Sequence, residues 1–546
     1  MIKFINRSVF ILLFIGLIGS SFAQQSVKDN VPNGWHLMSK DKSGYYGISL
    51  DKAYEFLKGR KSKQIIVGVI DSGVDTTHED LKAVLWHNPK EIPGNGIDDD
   101  KNGYADDVYG WNFLGGKDGR NVRDDASEAA RVYHQYKSKF ENITDPSTLS
   151  KEDQDIYKMW SKAKTDVLGD TNPAMVPLLE KMYKDLVTGD SLIRVDLKKT
   201  EYKCTELASY SPTSVETRNV KRLISAICEQ NGGAEYTNVT IIDELAGEIR
   251  KMQAAEEPPP NYRGDIVKDN YYDFNDRYYG NSDVMGKFDE HGTHVSGIIG
   301  ASRNNGKGID GIADNVKIMM VRVVPNGDEH DKDIALAIRY AVDNGAKVIN
   351  MSFGKGVSPE KKWIDDAVRY AQSKGVLLVH AAGNENADID TTWNFPTPVF
   401  KDDGKQAANW ITVGASGDPK IDGLVASFSN YGKELVDVFA PGRKIYSTLP
   451  DNSYGNEDGT SMASPVVTGV AALIFEYFPN LTAEQVKSVI EKSVVKPTIK
   501  AIKPGSDEEA SLGELSKTGG IINAYEAVKL AAQMSGEKPT DTKRAL

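Results

Sequence analysis

The chain predicts an α/β protein: a doubly wound, mainly parallel sheet covered by helices on both faces, with an inserted α-helical subdomain. Three observations lead there. Apolar, β-branched runs without polar alternation recur along the sequence, as strands buried on both faces require. Segments with helical apolar spacing lie between them and stop at a glycine. One long block breaks this rhythm and shows helical periodicity alone.

Residues 1–23 read as a signal peptide. Lys3 and Arg7 precede the apolar segment Val9 to Ile18, and Ser21-Phe22-Ala23 offers a small-x-small cleavage site. The competing reading, a single-span anchor, meets a segment short for a bilayer, and no other stretch approaches spanning length. No cysteine at the cleavage point suggests a lipid anchor. An exported protein, periplasmic or secreted, with no stable membrane insertion after signal cleavage is the expectation.

The first strand is Gln64 to Asp71, Gln-Ile-Ile-Val-Gly-Val-Ile-Asp, ending in a carboxylate. Similar runs follow at Lys317 to Val323, Lys347 to Met351, Val376 to Ala381, Trp410 to Gly414 and Leu435 to Ala440. Helical segments at Asp331 to Asn344 and Pro359 to Ser373 precede Gly345 and Gly375, where a C-cap is expected. Strand, helix, strand in this order implies right-handed crossovers, which gather functional groups at the carboxyl ends of the strands.

The block 122–257 carries Val132, Tyr136 and Phe140, then Ile156, Trp160, Ala163 and Val167, then Ile242, Leu245, Ile249 and Met252 at helical spacing. Pro258-Pro259-Pro260 is a stiff exit. Two further helices are expected near Thr482 to Ser493 and Asn523 to Ala532. The predicted division is thus 24–121 and 258–535 for the sheet domain, 122–257 for the helical insert and 536–546 for a polar tail.

With 546 residues and a net charge of −12, the chain can bury a large core, and its mild acidity offers no basic face for nucleic acid. Its only cysteines, Cys204 and Cys228, form a disulfide or remain two buried thiols; spacing does not decide.

Three stretches carry chemistry. Gly459-Thr460-Ser461-Met462-Ala463-Ser464-Pro465 opens an all-apolar helix, which places Ser461 at a buried helix N-terminus where developing negative charge is favoured. Asp71-Ser72-Gly73-Val74-Asp75 ends the first strand, and His291-Gly292-Thr293-His294-Val295-Ser296-Gly297 begins a small-residue helix. A serine hydroxyl needs an imidazole to take its proton, and the imidazole a carboxylate to orient it and stabilise its charge. Singly, Ser461 reads as an N-cap, Asp71 as a strand-end cap and His291 as a helix-start residue.

Together the stretches resemble the subtilisin-like serine proteases, or subtilases, in the order Asp, His, Ser. Ala381-Ala382-Gly383-Asn384-Glu385 resembles the segment that supplies that family's side-chain oxyanion donor. The resemblance covers about 45–120 and 261–532 and leaves the insert outside. It implies a serine endopeptidase acting on proteins or peptides, with Ser461 as nucleophile, His291 as general base and acid, and Asp71 orienting His291. Asn384 and the Ser461 N–H would hold the oxyanion. Asn384 alone also reads as a turn support.

Asn350-Met351-Ser352-Phe353-Gly354 resembles the family's substrate strand, so Ser352, Phe353, Gly354 and Gly383 are candidate substrate-binding residues. No acidic residue marks these stretches, which points to apolar or broad preference. His294 follows His291 by three residues, but the zinc-helix pattern wants four and an adjacent glutamate; the resemblance makes it structural. An α/β-hydrolase esterase is disfavoured because Ser461 lacks the glycine two residues on.

Asp98-Asp99-Asp100-Lys101-Asn102-Gly103 alternates oxygen-bearing side chains before a glycine, as calcium loops do. Asp98, Asp100, Asn102 and Asp106 are the candidate ligands of a structural calcium ion, although Tyr109 stands where an EF-hand has its closing glutamate. The other reading is a solvated acidic turn. No catalytic cofactor is implied.

Two departures from the family stand out. Residues 24–44 are too few for a folded pro-domain, and the insert lengthens the gap from Asp to His; an insert that guards the cleft or assists folding is one expectation. The rival function is a catalytically silent binding or scaffold protein on the same fold, and oligomeric state stays open.

Overall fold

The computed structural model of the protein describes residues 31–169, 172–230, 237–286 and 289–536. The signal-peptide reading lies outside them, as does nearly all of the polar tail. Two compact units emerge: Ala126–Pro260 is one, and Val31–Asp125 with the chain from Asn261 onward is the other.

The larger unit holds seven strands, β1 (Ile65–Asp71), β2 (Gly110–Asn112), β3 (Val316–Arg322), β4 (Ala346–Met351), β5 (Leu377–Ala381), β6 (Trp410–Ser416) and β7 (Val438–Pro441). They pair in the order β2-β3-β1-β4-β5-β6-β7, parallel throughout. Along β1, Val67 and Val69 enter one hydrophobic core and Ile70 the other, and β3 alternates likewise with Ile318 and Met320 against Met319 and Val321. Each strand is therefore buried on both faces, which is why its sequence shows no polar alternation.

One core lies under α1 (Leu50–Leu57), α2 (Glu290–Gly300), α3 (Thr460–Tyr477), α4 (Ala483–Lys492) and α5 (Ala524–Met534). The other lies under α6 (Asp331–Asp343) and α7 (Lys361–Ser373). Gly345 and Gly375, just past α6 and α7, have φ of +88° and +68°, a left-handed turn that glycine enters without strain. A hairpin that the sequence reading lacked, β8 (Ile445–Leu449) with β9 (Ser453–Glu457), precedes α3.

The smaller unit is helical, with helices at Glu128–Phe140, Lys151–Leu168, Val176–Leu197, Cys204–Ser209, Val215–Gln230 and Asn238–Gln253. The first two meet through Phe140 and Trp160, and the Trp160 indole donates to the Tyr133 carbonyl at 3.1 Å. The others enclose Leu186, Ile193, Ile224, Ile241 and Leu245. Cys204 and Cys228 form a disulfide, which settles the alternative the sequence left open.

Candidate active site

Asp71 is the last residue of β1, and β3 and β4 pair with the strand on either side. Its carboxylate is 1% exposed, and Oδ1 accepts the Ser72 N–H at 2.7 Å and His291 Nδ1 at 2.7 Å. The strand end and helix α2 approach so closely that a Cβ on Gly292 would meet the Gly73 carbonyl at 2.0 Å and Asp71 Oδ1 at 3.2 Å. Glycine after the histidine is thus required by the contact itself. With Nδ1–H held by Asp71, the other nitrogen, Nε2, is the one able to take a proton.

Ser461 lies in the first turn of α3, where N–H groups have no intrahelical acceptor. Pro465 sits inside the same helix and brings no N–H to the carbonyl four residues back. That carbonyl, of Ser461, instead accepts the Ser352 hydroxyl at 2.9 Å, while the Ser461 hydroxyl donates to the Ser352 carbonyl at 3.1 Å. Asn350 secures this junction. Its Nδ2 donates to Ser352 Oγ at 2.9 Å, and its Oδ1 accepts the hydroxyls of Ser464 and Thr468, both at 2.9 Å. Four buried polar side chains thereby fix the carboxyl end of β4 to the nucleophile-bearing helix.

Asn384 is exposed, and its Oδ1 accepts both the N–H (2.9 Å) and the hydroxyl (3.0 Å) of Thr460. The amide oxygen is tethered beside Ser461, which leaves Nδ2 as the side chain's remaining donor. The preceding Gly383 has φ +97°, and its N–H donates to Thr460 Oγ1 at 3.0 Å. Buried Asn430 ties this loop down: it donates to the Ala382 carbonyl at 2.8 Å and accepts the N–H groups of Glu385 (3.0 Å) and Ala387 (2.8 Å).

Of the substrate-wall candidates, Ser352 is buried, Phe353 half-buried and Gly354 exposed. His380 Nε2 meets the Phe353 carbonyl at 2.8 Å, and Asn394 donates to the Ala382 carbonyl at 2.9 Å. Lys355 and Phe395 exchange backbone hydrogen bonds of 2.9 Å, which tie the chain around Asn394 to the segment after Gly354.

The electrostatics separate the two histidines of α2. Burial lowers the basicity of His291, but the charge and hydrogen bond of Asp71 outweigh it, with Glu457 and Glu290 adding to the rise, and the imidazole ends at about 9. His294 is fully buried, and desolvation presses it to about 3, with Nε2 3.3 Å from the Gly455 carbonyl. Burial raises the Glu457 carboxyl to about 8 and that of Asp289, before the helix, to about 7.

The acidic loop brings Asp98 and Asp100 together with Glu91, each offering an oxygen within 4.8 Å of the others. Glu91 escaped the sequence reading because it lies seven residues before the alternating run. Asp106 instead accepts the N–H groups of Asn95 (3.1 Å) and Gly96 (2.8 Å), and Asn102 donates to Asp107 at 3.0 Å. Three converging carboxylates fit a hard, oxygen-seeking cation. Thr460, Asn350 and Asn430 also went unpredicted as site residues; as single polar residues with partners distant in sequence they leave no periodic signal.

The sequence profile of the Subtilase family matches residues 62–519. A thermophilic serine proteinase of Bacillus sp. (strain AK1) is 40% identical over 270 residues, covering 49% of this chain and 58% of that protein. Thermitase of Thermoactinomyces vulgaris is 38% identical over 245 residues, 44% of this chain and 75% of the relative. The major intracellular serine protease of Bacillus subtilis (strain 168) is 39% identical over 208 residues, 37% of this chain and 60% of the relative. The chain thus spans 58–60% of the length of two of these relatives.

Proposed function

The chain belongs to the subtilase family, and from that premise we propose that it is an exported serine endopeptidase that hydrolyses proteins or peptides through an acyl-enzyme. The observation that carries this reading is the 2.7 Å hydrogen bond between His291 Nδ1 and Asp71 Oδ1, which leaves Nε2 as the nitrogen able to take the proton of Ser461.

When His291 is neutral, the Ser461 hydroxyl leaves the Ser352 carbonyl, gives its proton to Nε2 and attacks the scissile carbonyl carbon. The oxyanion is held by Asn384 Nδ2 and the Ser461 N–H, with the Asn384 amide oriented by Thr460. Asp71 stabilises the imidazolium, whose proton passes to the leaving amine as the C–N bond breaks. Water then hydrolyses the ester, with His291 taking its proton and returning one to Ser461. The strand after Asn350 pairs with an extended substrate, and Ser352, Phe353, Gly354 and Gly383 enclose the residue before the scissile bond.

We read residues 1–23 as a cleaved export signal, 24–121 with 258–535 as the catalytic domain, and 122–257 as its helical insert. Glu91, Asp98 and Asp100 would hold a calcium ion, which supplies no chemistry to the reaction and ties the loop that bears them. A serine-directed fluorophosphonate tests the assignment: it labels the wild type and not Ser461→Ala. Absence of labelling in both refutes the enzyme and favours a silent scaffold.

A further inference from the structure

The hairpin β8–β9 is fastened along the helix that carries His291. Ser447 donates to the His294 carbonyl and Thr448 to the Thr293 carbonyl, each at 2.8 Å, and the Gly455 carbonyl stands 3.3 Å from His294 Nε2. The packing is tight: a Cβ on Gly297 would meet the hydroxyls of Thr448 and Ser447 at 2.2 and 2.4 Å. This docking carries Glu457, the last residue of β9, to the helix face shared by His291 and His294, three residues apart. Glu457 Oε2 lies 3.8 Å from His294 Nδ1, with the glutamate side chain 23% exposed.

Its neighbour Asp458 is compensated, by Arg443 and by the Lys444 N–H at 2.5 Å. Among the described residues Glu457 has no Lys or Arg within ion-pair distance. His294 beside it is buried and neutral, so the positive charge that answers it is that of the protonated His291 imidazole.

We propose that Glu457 is a positioning residue, a second carboxylate besides Asp71 whose charge faces the catalytic imidazole, stabilises its protonated form and sets the enzyme to work in alkaline solution. This inference rests on the serine endopeptidase reading.

Every packed element contributes to the field. His291 meets Asp71 from the end of β1, Glu290 from its own helix and Glu457 from β9. Glu457 meets His291, Glu290, Asp71 and Asp458. Arg443 pairs with Asp422 and Asp458, and Arg322 faces Ser72, Asp283 and Asp289. Burial raises the Glu457 carboxyl and the His291 charge lowers it in turn, while Glu457 adds to the rise that Asp71 gives the imidazole, so each charge favours the other. Where Glu457 is ionised, the neutral imidazole that activates Ser461 forms against its charge, and removing that charge lets it form at lower pH.

The test is the pH dependence, from 5 to 11, of fluorophosphonate labelling rate and of kcat/KM on a peptide substrate, for wild type, Glu457→Gln and Glu457→Asp, with Ser461→Ala as blank. The acid limb of Glu457→Gln is expected to move down by roughly half a pH unit, the two curves separating from about pH 8 upward, where the wild-type carboxyl is charged, and meeting near pH 7, where it is already neutral. Glu457→Asp, which keeps the charge but withdraws it by one methylene, should fall between. A Glu457→Gln limb that coincides with the wild type overturns the proposal. If that variant does not fold, Glu457→Asp decides: a smaller downward shift supports it, and none overturns it. Wild type inert at every pH overturns the endopeptidase reading and this inference with it.

Discussion

Replacing Asn384 by alanine removes one polarised N–H from the place where the carbonyl oxygen acquires charge. The Asn384 oxygen is spent on Thr460, at 2.9 and 3.0 Å, so the side chain has one orientation and Nδ2 is delivered without further ordering. A preorganised donor of this kind typically contributes about 3 kcal/mol, so kcat should fall roughly 10²-fold in Asn384→Ala, with KM changed little. Freeing the Thr460 N–H costs about 1 kcal/mol of stability, too little to unfold the chain. Asn384→Asp separates tether from donor: it keeps an acceptor for Thr460 but offers the oxyanion a carboxylate, and should lose at least as much as alanine. The assay is steady-state hydrolysis of a chromogenic peptide anilide, with active sites counted by phosphonate titration. A rise in KM with kcat intact, or an active Asn384→Asp, would refute the reasoning.

His36 is fully buried with neither ring nitrogen hydrogen-bonded among the described residues, and burial lowers it from 6.5 to about 3. The unfolded chain takes up its proton first, so the penalty starts below pH 6.5 and grows until pH reaches about 3. The stability difference between His36→Leu and wild type should therefore tilt toward the variant by about 1.4 kcal/mol per pH unit across that window, and a flat difference in chemical denaturation sinks the claim. Excess calcium should raise Tm, by about 2.7 kcal/mol of stability at a hundredfold excess over Kd, and Glu91→Gln should abolish most of the rise; equal shifts with and without Glu91 would move the ion elsewhere. Reducing the Cys204–Cys228 bridge, which joins residues 24 apart, should cost the helical unit about 3 kcal/mol, read as earlier loss of helical ellipticity on heating; unchanged melting rules it out.

The sheet was legible because its strands are buried on both faces. The bounds read for β1, β3, β4 and β5 lie within a residue of Ile65–Asp71, Val316–Arg322, Ala346–Met351 and Leu377–Ala381. Gly110–Asn112 is too short to show a period, and Ser-Tyr-Gly-Asn-Glu in β9 has no apolar alternation; its strand conformation comes from pairing with β8 and docking on α2. In the helical unit, the helix Val176–Leu197 was missed because Leu178, Val187, Leu192 and Val195 are exposed and blur its buried stripe. Asp71, His291, Asn384 and Ser461 each lie at the edge of a strong local pattern. Thr460, Asn350, Asn430, Glu91 and Glu457 act through partners distant in sequence or space, which a one-dimensional reading does not contain.

The site at which the helical unit interrupts the chain is closed within the larger unit. Asn112 and Asn281 exchange backbone hydrogen bonds of 3.0 and 3.1 Å, and the Asn112 amide bridges to Asn281 and Asn121 at 2.9 and 2.8 Å. The fragment before the interruption supplies β1, which lies between β3 and β4 from the fragment after it. A polypeptide severed between Ala126 and Pro260 thus has its amino-terminal piece threaded through the middle of a sheet built by the other. Asp71 and His291 would stay in register in such a two-chain species, which could be assembled from separately expressed halves.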